Sequence, residues 1–403
     1  MNIQRVYASG QCMQCGTCVG CCPTGAITLR WDVRVGFRLT VDAAACTDCG
    51  TCMAVCPGEG LDFTESAWWR ERDRDAKYAD FLGPWRTLWF GWAADETTRF
   101  AGASGGVATA ILQGALASGA IDAALVARGD PRNALAIEPV VARSAEEFAS
   151  CRGSRYNVVA TKVLLRRVLA EPGRYAVVGL PCHIQGLRLA QERHPLLRER
   201  VVLALGVFCG WTNQPRATEV AARRAGLAPT DLAATSYRGP GWPGGLRLTA
   251  RTGAPRELPF PDYFDRFWAA YTPPRCRLCP DALAELADIS VGDAWLDRFR
   301  GSAGVSDVIV RTETGGRLVA ELAPEWLTLM EATADDVLAS QAETYRVKRQ
   351  VFRGRLWLRS LARRAAPRYP GVPCAPSTAD KVAGVKDLAN EIVFRTVGDI
   401  RYR

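Results

Sequence analysis

A chain of 403 residues, 48% of them hydrophobic, holds enough apolar material for two or three domains with cores of their own. Its formal charge of +9 is concentrated between residues 341 and 370, where nine Lys and Arg face the single acid Glu343, so the remainder is nearly neutral and a nucleic-acid-binding surface is not indicated. The longest apolar stretch, 201–211, is too short to span a bilayer, no secretory signal is visible, and fifteen cysteines in such a chain point to metal ligation in a reducing cytoplasm.

Within residues 1–65, Cys12, Cys15, Cys18, Cys22 and Pro23 spell C-x2-C-x2-C-x3-C-P, and Cys46, Cys49, Cys52, Cys56 and Pro57 repeat it. Two-residue gaps let one tight loop offer three thiolates to the corners of an iron–sulfur cube. The longer gap carries the fourth thiolate out of reach, so it ligates the other cluster. Cys12, Cys15, Cys18 and Cys56 are therefore assigned to one 4Fe–4S centre, and Cys46, Cys49, Cys52 and Cys22 to a second. Zinc more often takes two separated ligand pairs, and disulfides need an oxidising compartment. Gly16, Thr17, Gly50 and Thr51 keep both loops small. Segments 26–29 and 37–41 read as short strands around a turn at Gly36.

Residues 66–86 read as a partly helical linker in which Trp68 and Trp69 are docking side chains. From residue 87 to 334 strands and helices alternate: a helix from Gly106, strands at 121–128, 175–179, 201–208, 287–291 and 308–311, and a helix over 184–192. That alternation predicts an α/β domain around a central sheet. Residues 335–403 read as a basic helical tail, broken at Pro367, Pro370 and Pro373 and ending in an amphipathic helix at 379–394. The apolar residues of 347–361 predict a helix packed on the core with its basic face solvated.

A second chemical centre is suggested within the α/β region. Cys182 and Cys209 each follow a predicted strand, and Cys276 and Cys279 form C-x2-C in a Pro-rich loop. Ligands gather beyond the carboxyl ends of strands in open α/β sheets, so these positions are able to converge. The spacing is compatible with a further 4Fe–4S site, with zinc, or with small buried residues at strand ends. Ser104-Gly105-Gly106 opens a helix that includes Thr109, which suits a pyrophosphate or simple capping. Gly153-Ser154-Arg155-Tyr156 offers a cation, a hydroxyl and a ring, or an ordinary turn. His183 reads as a loop histidine, Cys21 as a bystander, and Cys151 and Cys374 as free thiols.

Taken in order, Ser104-Gly105-Gly106, Gly153-Ser154-Arg155-Tyr156, Leu180-Pro181-Cys182-His183-Ile184-Gln185, Phe208-Cys209-Gly210, Cys276-x2-Cys279 and the run from Glu285 to Asp293 resemble the coenzyme F420 hydrogenase/dehydrogenase beta-subunit family over about residues 85–350. The resemblance implies a third 4Fe–4S cluster on Cys182, Cys209, Cys276 and Cys279, close to FAD. It also implies FAD contacts from Ser104, Gly105, Gly106, Thr109, Ser154, Arg155 and Tyr156; some relatives carry Lys at the position of Arg155. The expected architecture is an α+β ferredoxin-like 2×(4Fe–4S) module followed by an α/β flavin-binding domain and a helical C-terminal tail. The expected function is electron movement between a hydride carrier, F420 by family default, and one-electron carriers including a redox protein partner. A ferredoxin-driven reductase of an organic substrate and a non-catalytic electron-transfer subunit are the alternatives. No catalytic side chain is assigned, because flavin N5 takes the hydride.

Overall fold

The computed structural model describes residues 2–63, 76–238 and 240–402. In the N-terminal module, β1 (Ile27–Asp32) and β2 (Gly36–Val41) form an antiparallel hairpin. Its inward residues Ile27 and Leu39 pack on Ile3, Val6 and Cys18. The expected linker ends in a second hairpin, β3 (Lys77–Ala79) with β4 (Gly83–Trp85), rather than in helix. Trp68 and Trp69 lie outside the described residues.

The larger unit is built on β5 (Thr87–Ala93), β6 (Ala123–Asp130), β7 (Asn133–Ala142), β8 (Tyr175–Gly179) and β9 (Val201–Val207). After β9 the chain leaves to form a separate antiparallel sheet of β10 (Leu232–Ser236), β11 (Gly245–Ala250) and β12 (Arg256–Pro259). It returns as β13 (Ile289–Asp293), β14 (Ser306–Val310) and β15 (Leu327–Glu331). The eight-stranded order is β15-β5-β14-β13-β9-β8-β6-β7. Strands β6, β8, β9 and β13 are parallel neighbours, and β5 runs with them, separated by antiparallel β14. Five strands thus deliver their carboxyl ends to one edge.

The central strands read as nearly unbroken apolar runs because helices cover both faces. Alternate residues feed two cores. Val126, Ala176, Leu205, Val291 and Val308 pack against the helices Val107–Ala117 and Glu313–Leu322. Leu125, Val177 and Ala204 pack, from the opposite face, against Leu165–Ala170 and Pro181–Arg193. Cys21 and Val55 of the N-terminal module join this second core, so Cys21 is a packing residue that seats the module.

The basic tail departs from the expected solvated face. Lys348 and Arg349 are 2% exposed and Arg355 is 8% exposed. Arg349 donates to the Pro280 carbonyl and to Asp80, and Arg355 binds Asp387 and Glu391 of the final helix, Thr378–Arg401. The excess of cations anchors the tail to the core. No helix among the described residues is long and apolar enough to cross a membrane.

Asp307 on β14 is fully buried, accepts hydrogen bonds from Ser340 and Gln341, and is pushed by that burial up to about 8. A carboxyl whose folded pKa is raised favours the fold while protonated, and that advantage is lost as pH rises from the unfolded carboxylate range through 8. The stability of the wild-type chain relative to Asp307→Asn is expected to fall by about 1.4 kcal/mol per pH unit across this window. Parallel denaturation curves at pH 5 and pH 8 check it; equal pH dependence of the two proteins refutes it.

Candidate redox centre

Each cysteine loop of the N-terminal module turns at a glycine into a one-turn helix: Gly16 at φ +86° before Thr17–Gly20, and Gly50 at φ +74° before Thr51–Ala54. The left-handed backbone, which glycine adopts without penalty, turns N–H groups toward the thiols. The Gln14 N–H reaches Cys12 Sγ at 3.4 Å and the Gly58 N–H reaches Cys56 Sγ at 3.3 Å. Burial pushes the Cys12 thiol up to about 12 and raises Cys18 and Cys56 as well, each also raised by its cysteine neighbours. Cys56 responds to Cys15 and Cys12, Cys52 to Cys49 and Cys22, and Cys18 to cysteines of both runs, Cys52 included. Burial also opposes the Cys22 thiolate, but the Thr24 hydroxyl and N–H groups of residues 24–26 outweigh it and lower that thiol. Cys46 follows β2 and donates its N–H to Asp42. Cys49 is exposed whereas Cys15 and Cys18 are buried, so the second set faces solvent and the first faces the core.

Cys182, Cys209, Cys276 and Cys279 line one small buried cavity, although they come from three loops. The fold explains the meeting. Cys182 opens the helix after β8, Cys209 follows β9, and the Cys276–Leu278 turn lies in the connection leading back to β13. The Cys209 N–H binds the Ala282 carbonyl, and Thr212 Oγ1 lies 3.4 Å from Cys276 Sγ. Burial pushes Cys209 up to about 12 and raises Cys182 and Cys279; Cys276 adds to all three, and Cys279 adds to Cys182 and Cys209. Thiols this reluctant to ionise retain a negative charge when it is shared with metal. Beyond its own set, Cys182 feels Cys15 of the N-terminal module more strongly than any other thiol.

Three buried cations surround this junction, and sequence reasoning gave none of them a role at the thiols. Lys348 is raised by Cys279, Cys209 and Cys276 against the pull of burial. Lys162 lies between Cys15 and Cys182, donates to the Val178 carbonyl at 3.0 Å, and is lowered by burial to about 7. Arg275 is raised by Tyr369, Cys279 and Cys276 despite burial, and its charge also favours the Cys12 and Cys56 thiolates. It donates to the Gly58 carbonyl at 2.8 Å and to Pro57 at 3.3 Å, so one guanidinium touches both modules. His183 sits inside the helix Pro181–Arg193, not in a loop. Its Nδ1 is 3.2 Å from Thr161 Oγ1, and burial beside Lys162 lowers it to about 3.

The docking is close. The Lys162 N–H binds the Cys15 carbonyl at 3.0 Å, and Arg166 reaches the carbonyls of Val19 and Cys22 at 3.0 and 3.3 Å. The Leu61 N–H donates to the Arg368 carbonyl and the Arg368 N–H to the Glu59 carbonyl, a strand-like bridge to the tail.

The Ser-Gly-Gly turn follows β5 at the same sheet edge. Gly106, at φ +77°, starts the helix Val107–Ala117 with no side-chain cap, leaving the helix's first N–H groups, up to Thr109, for another acceptor. Ser104 Oγ is 2.9 Å from Ser306 Oγ. Tyr156 lies across from this turn. Arg238, on the β10–β11 connection, spans the gap: its Nη2 donates to the Ala103 carbonyl at 2.9 Å and to Asp293 at 2.8 Å, and its Nη1 lies 3.5 Å from Tyr156 Oη. Sequence reasoning missed Arg238, which carries no motif; Asp293 closed a quoted motif without a role. Arg155 is lowered by burial and has no carboxylate partner among the described residues; its Nε is buried without a hydrogen bond. The Arg155 Nη1 donates to the Ser154 carbonyl at 2.9 Å, so its Nε and the uncapped helix start are the groups left for an anionic cofactor such as a dinucleotide pyrophosphate.

Residues 11–59 match the 4Fe-4S dicluster domain, 88–166 the N-terminal part and 173–335 the C-terminal part of the coenzyme F420 hydrogenase/dehydrogenase beta subunit. The chain belongs to the coenzyme F420 hydrogenase/dehydrogenase beta-subunit family, with an N-terminal dicluster domain. It is 26% identical to one of the subunits of F(420)H(2) dehydrogenase from Methanosarcina mazei, over 78% of this chain and 83% of that protein. It is also 26% identical to the coenzyme F420 hydrogenase subunit beta of Methanothermobacter thermautotrophicus, over 60% of this chain and 82% of that one. Coenzyme F420-dependent sulfite reductase of Methanocaldococcus jannaschii matches at 26% over 78% of this chain but 46% of its own length. A chain of the F420-reducing [NiFe] hydrogenase complex from Methanosarcina barkeri shares the fold, with a TM-score of 0.57 at 21% identity over 72% of this chain and 98% of that one.

A methyl group on Gly20 would collide with the Lys162 carbonyl at the docking surface. Gly20→Ala is expected to cost about 1–3 kcal/mol through this overpacking. Limited proteolysis between the two modules should be faster in the variant; unchanged resistance and unchanged melting would contradict the seating described.

Proposed function

We propose that this chain is an FAD- and iron–sulfur-dependent oxidoreductase that moves electrons between a hydride carrier and one-electron carriers. The observation that supports it most is the meeting of Cys182, Cys209, Cys276 and Cys279 in one buried cavity beside Cys15. In this reading Cys12, Cys15, Cys18 and Cys56 hold one 4Fe–4S cluster. Cys22, Cys46, Cys49 and Cys52 hold the second, and the sheet-edge set holds a third. Ser104, Gly105, Gly106 and Thr109 present the helix start to the FAD pyrophosphate, while Ser154, Arg155 and Tyr156 close on it from the opposite turn. A flavin bound there exchanges hydride with a carrier such as F420 and single electrons with iron–sulfur centres. Arg275 and Lys348 hold positive charge against the thiolates at the junction, and Lys162, lowered to about 7, is poised to gain or lose its proton there. Exposed Cys49 marks the end where a redox protein partner approaches.

The relatives' names, F420H2 dehydrogenase, F420 hydrogenase and F420-dependent sulfite reductase, favour F420 as the hydride carrier. The solved neighbour belongs to a hydrogenase complex, which favours a second reading in which the chain relays electrons within a complex, without turnover of its own.

Anaerobically prepared protein is expected to carry roughly twelve irons, four for each thiol set, and FAD; Cys182→Ser should lower iron to about eight. F420H2 should bleach the flavin faster than NADH does. Bleaching by reduced ferredoxin alone would favour the ferredoxin-driven reductase, and bleaching only within a partner complex the relay reading. Arg155→Ala should weaken FAD retention by about 10- to 100-fold, the loss of one charged hydrogen-bond donor, read by flavin release on dialysis.

Lys348→Met removes a charge beside the inner thiol set. It is expected to lower the potential of a cluster held there by on the order of 60 mV, equivalent to about 1.4 kcal/mol for one electron. A redox titration followed by electron paramagnetic resonance measures this, and an unchanged potential would remove Lys348 from the account.

A further inference from the structure

A cavity of about 790 Å3 opens on the side of Cys276 away from the sheet-edge set. Gly210, Trp211, Thr272 and Cys276 form its floor. Its roof comes from the helical segment Arg346–Val351 and the first half of the helix Thr378–Arg401. Both roof segments lie beyond residue 335, where the match to the family ends. The cavity is within the size range of small-molecule sites.

Charge inside the cavity is sorted. Asp387 lies 2.6 Å from Arg277 and 2.7 Å from Arg355, and Glu391 is bound by the same two guanidinium groups. Glu343 is paired with Arg346 at 2.6 Å. Arg266 and Lys386 also line the cavity, are exposed, and have no ion pair among the described residues; Arg266 lies over the Phe394 ring instead. Two positive charges are therefore uncompensated while the acids are spoken for. Between them the wall is apolar, with Trp211, Val347, Val351 and Val382. A small hydrated anion gains nothing from such a wall, whereas a ring that carries an acidic group uses both parts.

We propose that this cavity is a second small-molecule site, distinct from the Ser104–Gly106 and Arg155 cradle, for a flat anionic ring compound. The acidic group lies at Arg266 and Lys386, and the ring lies along Trp211 and the valines. Asn390, half-buried on the roof and without a hydrogen-bond partner among the described residues, is placed to meet a polar atom of the ring. The ring then lies against Cys276, on a side of the inner thiol set that the cradle does not use.

The test uses full-length protein prepared anaerobically with its iron and flavin, and equilibrium dialysis against anthraquinone-2,6-disulfonate. Methylene blue, a flat cation, is the comparator. One disulfonate is expected to bind per chain, at least tenfold tighter than methylene blue. The pair of exposed changes Arg266→Glu and Lys386→Glu should weaken the disulfonate at least tenfold while iron and flavin content stay constant. Val382→Trp, at an exposed position on the roof, should weaken it by occupying space. Equal binding of both dyes, binding untouched by all three substitutions, or release of FAD by the disulfonate would overturn the proposal; the last would place the dye in the flavin cradle. Iron content is read on every sample, so failure of the iron assignments is seen separately from failure of this site.

Discussion

Negative charge that must be held away from water governs this molecule. Cys12, Cys18, Cys52 and Cys56 of the N-terminal module and Cys182, Cys209 and Cys279 at the sheet edge lie where burial disfavours thiolates. An isolated buried ion costs several kcal/mol, so such a junction needs positive charge within it. The chain answers with Arg275 and Lys348, raised against burial by the thiols, and with Lys162, whose proton burial loosens. Arg275 and Lys162 sit between the module and the sheet edge rather than inside either. The same charges that make the thiol sets tolerable therefore fix how the two modules meet.

The sheet supplies the other half of the constraint. Because β5, β8, β9 and β13 run in one direction, the turns after them share an edge, and chemistry placed on separate loops converges there. The Ser-Gly-Gly turn follows β5, Cys182 follows β8, Cys209 follows β9 and Asp293 ends β13. The small sheet β10–β12 contributes Arg238, which bridges the Ser-Gly-Gly turn and Tyr156. The N-terminal module seats on the same side through Cys21, Val55 and the bonds to Lys162 and Arg166.

What was legible in the sequence was local or periodic. The cysteine runs define their sets because ligand spacing within one loop is a geometric requirement of the cluster, and the coupling of Cys56 to Cys12 and Cys15 follows that division. The parallel strands β6, β8, β9 and β13 were legible as apolar runs, whereas β5, with Thr87 and Gly91 breaking its run, was not read as a strand. Strand β7 was not: it carries Pro139, which a strand tolerates only where a donor is dispensable, and β7 is indeed an edge strand. Strand β15 lies at the opposite edge, with exposed residues in place of an apolar run. The buried cations were illegible for a deeper reason. Lys348, Arg349 and Arg355 sit in a run that composition alone reads as solvated, since Lys and Arg are almost never fully buried unless paired. Their partners are thiols and carboxylates distant in sequence.

That misreading changes the meaning of the tail. A basic helix with a solvated face would be an appendage, available for any anionic surface. Here Lys348 points its charge at the inner thiols, Arg349 secures the Pro280 carbonyl beside Cys279, and Arg355 ties the final helix to the core through Asp387 and Glu391. Arg277, next to Cys276, binds the same two acids. The final helix is thus held by the residue adjoining a candidate ligand, and any loosening of that helix would be felt in the Cys276–Cys279 turn. The C-terminal region is part of the redox centre's wall, and the charge excess of the whole chain is the trace of that role.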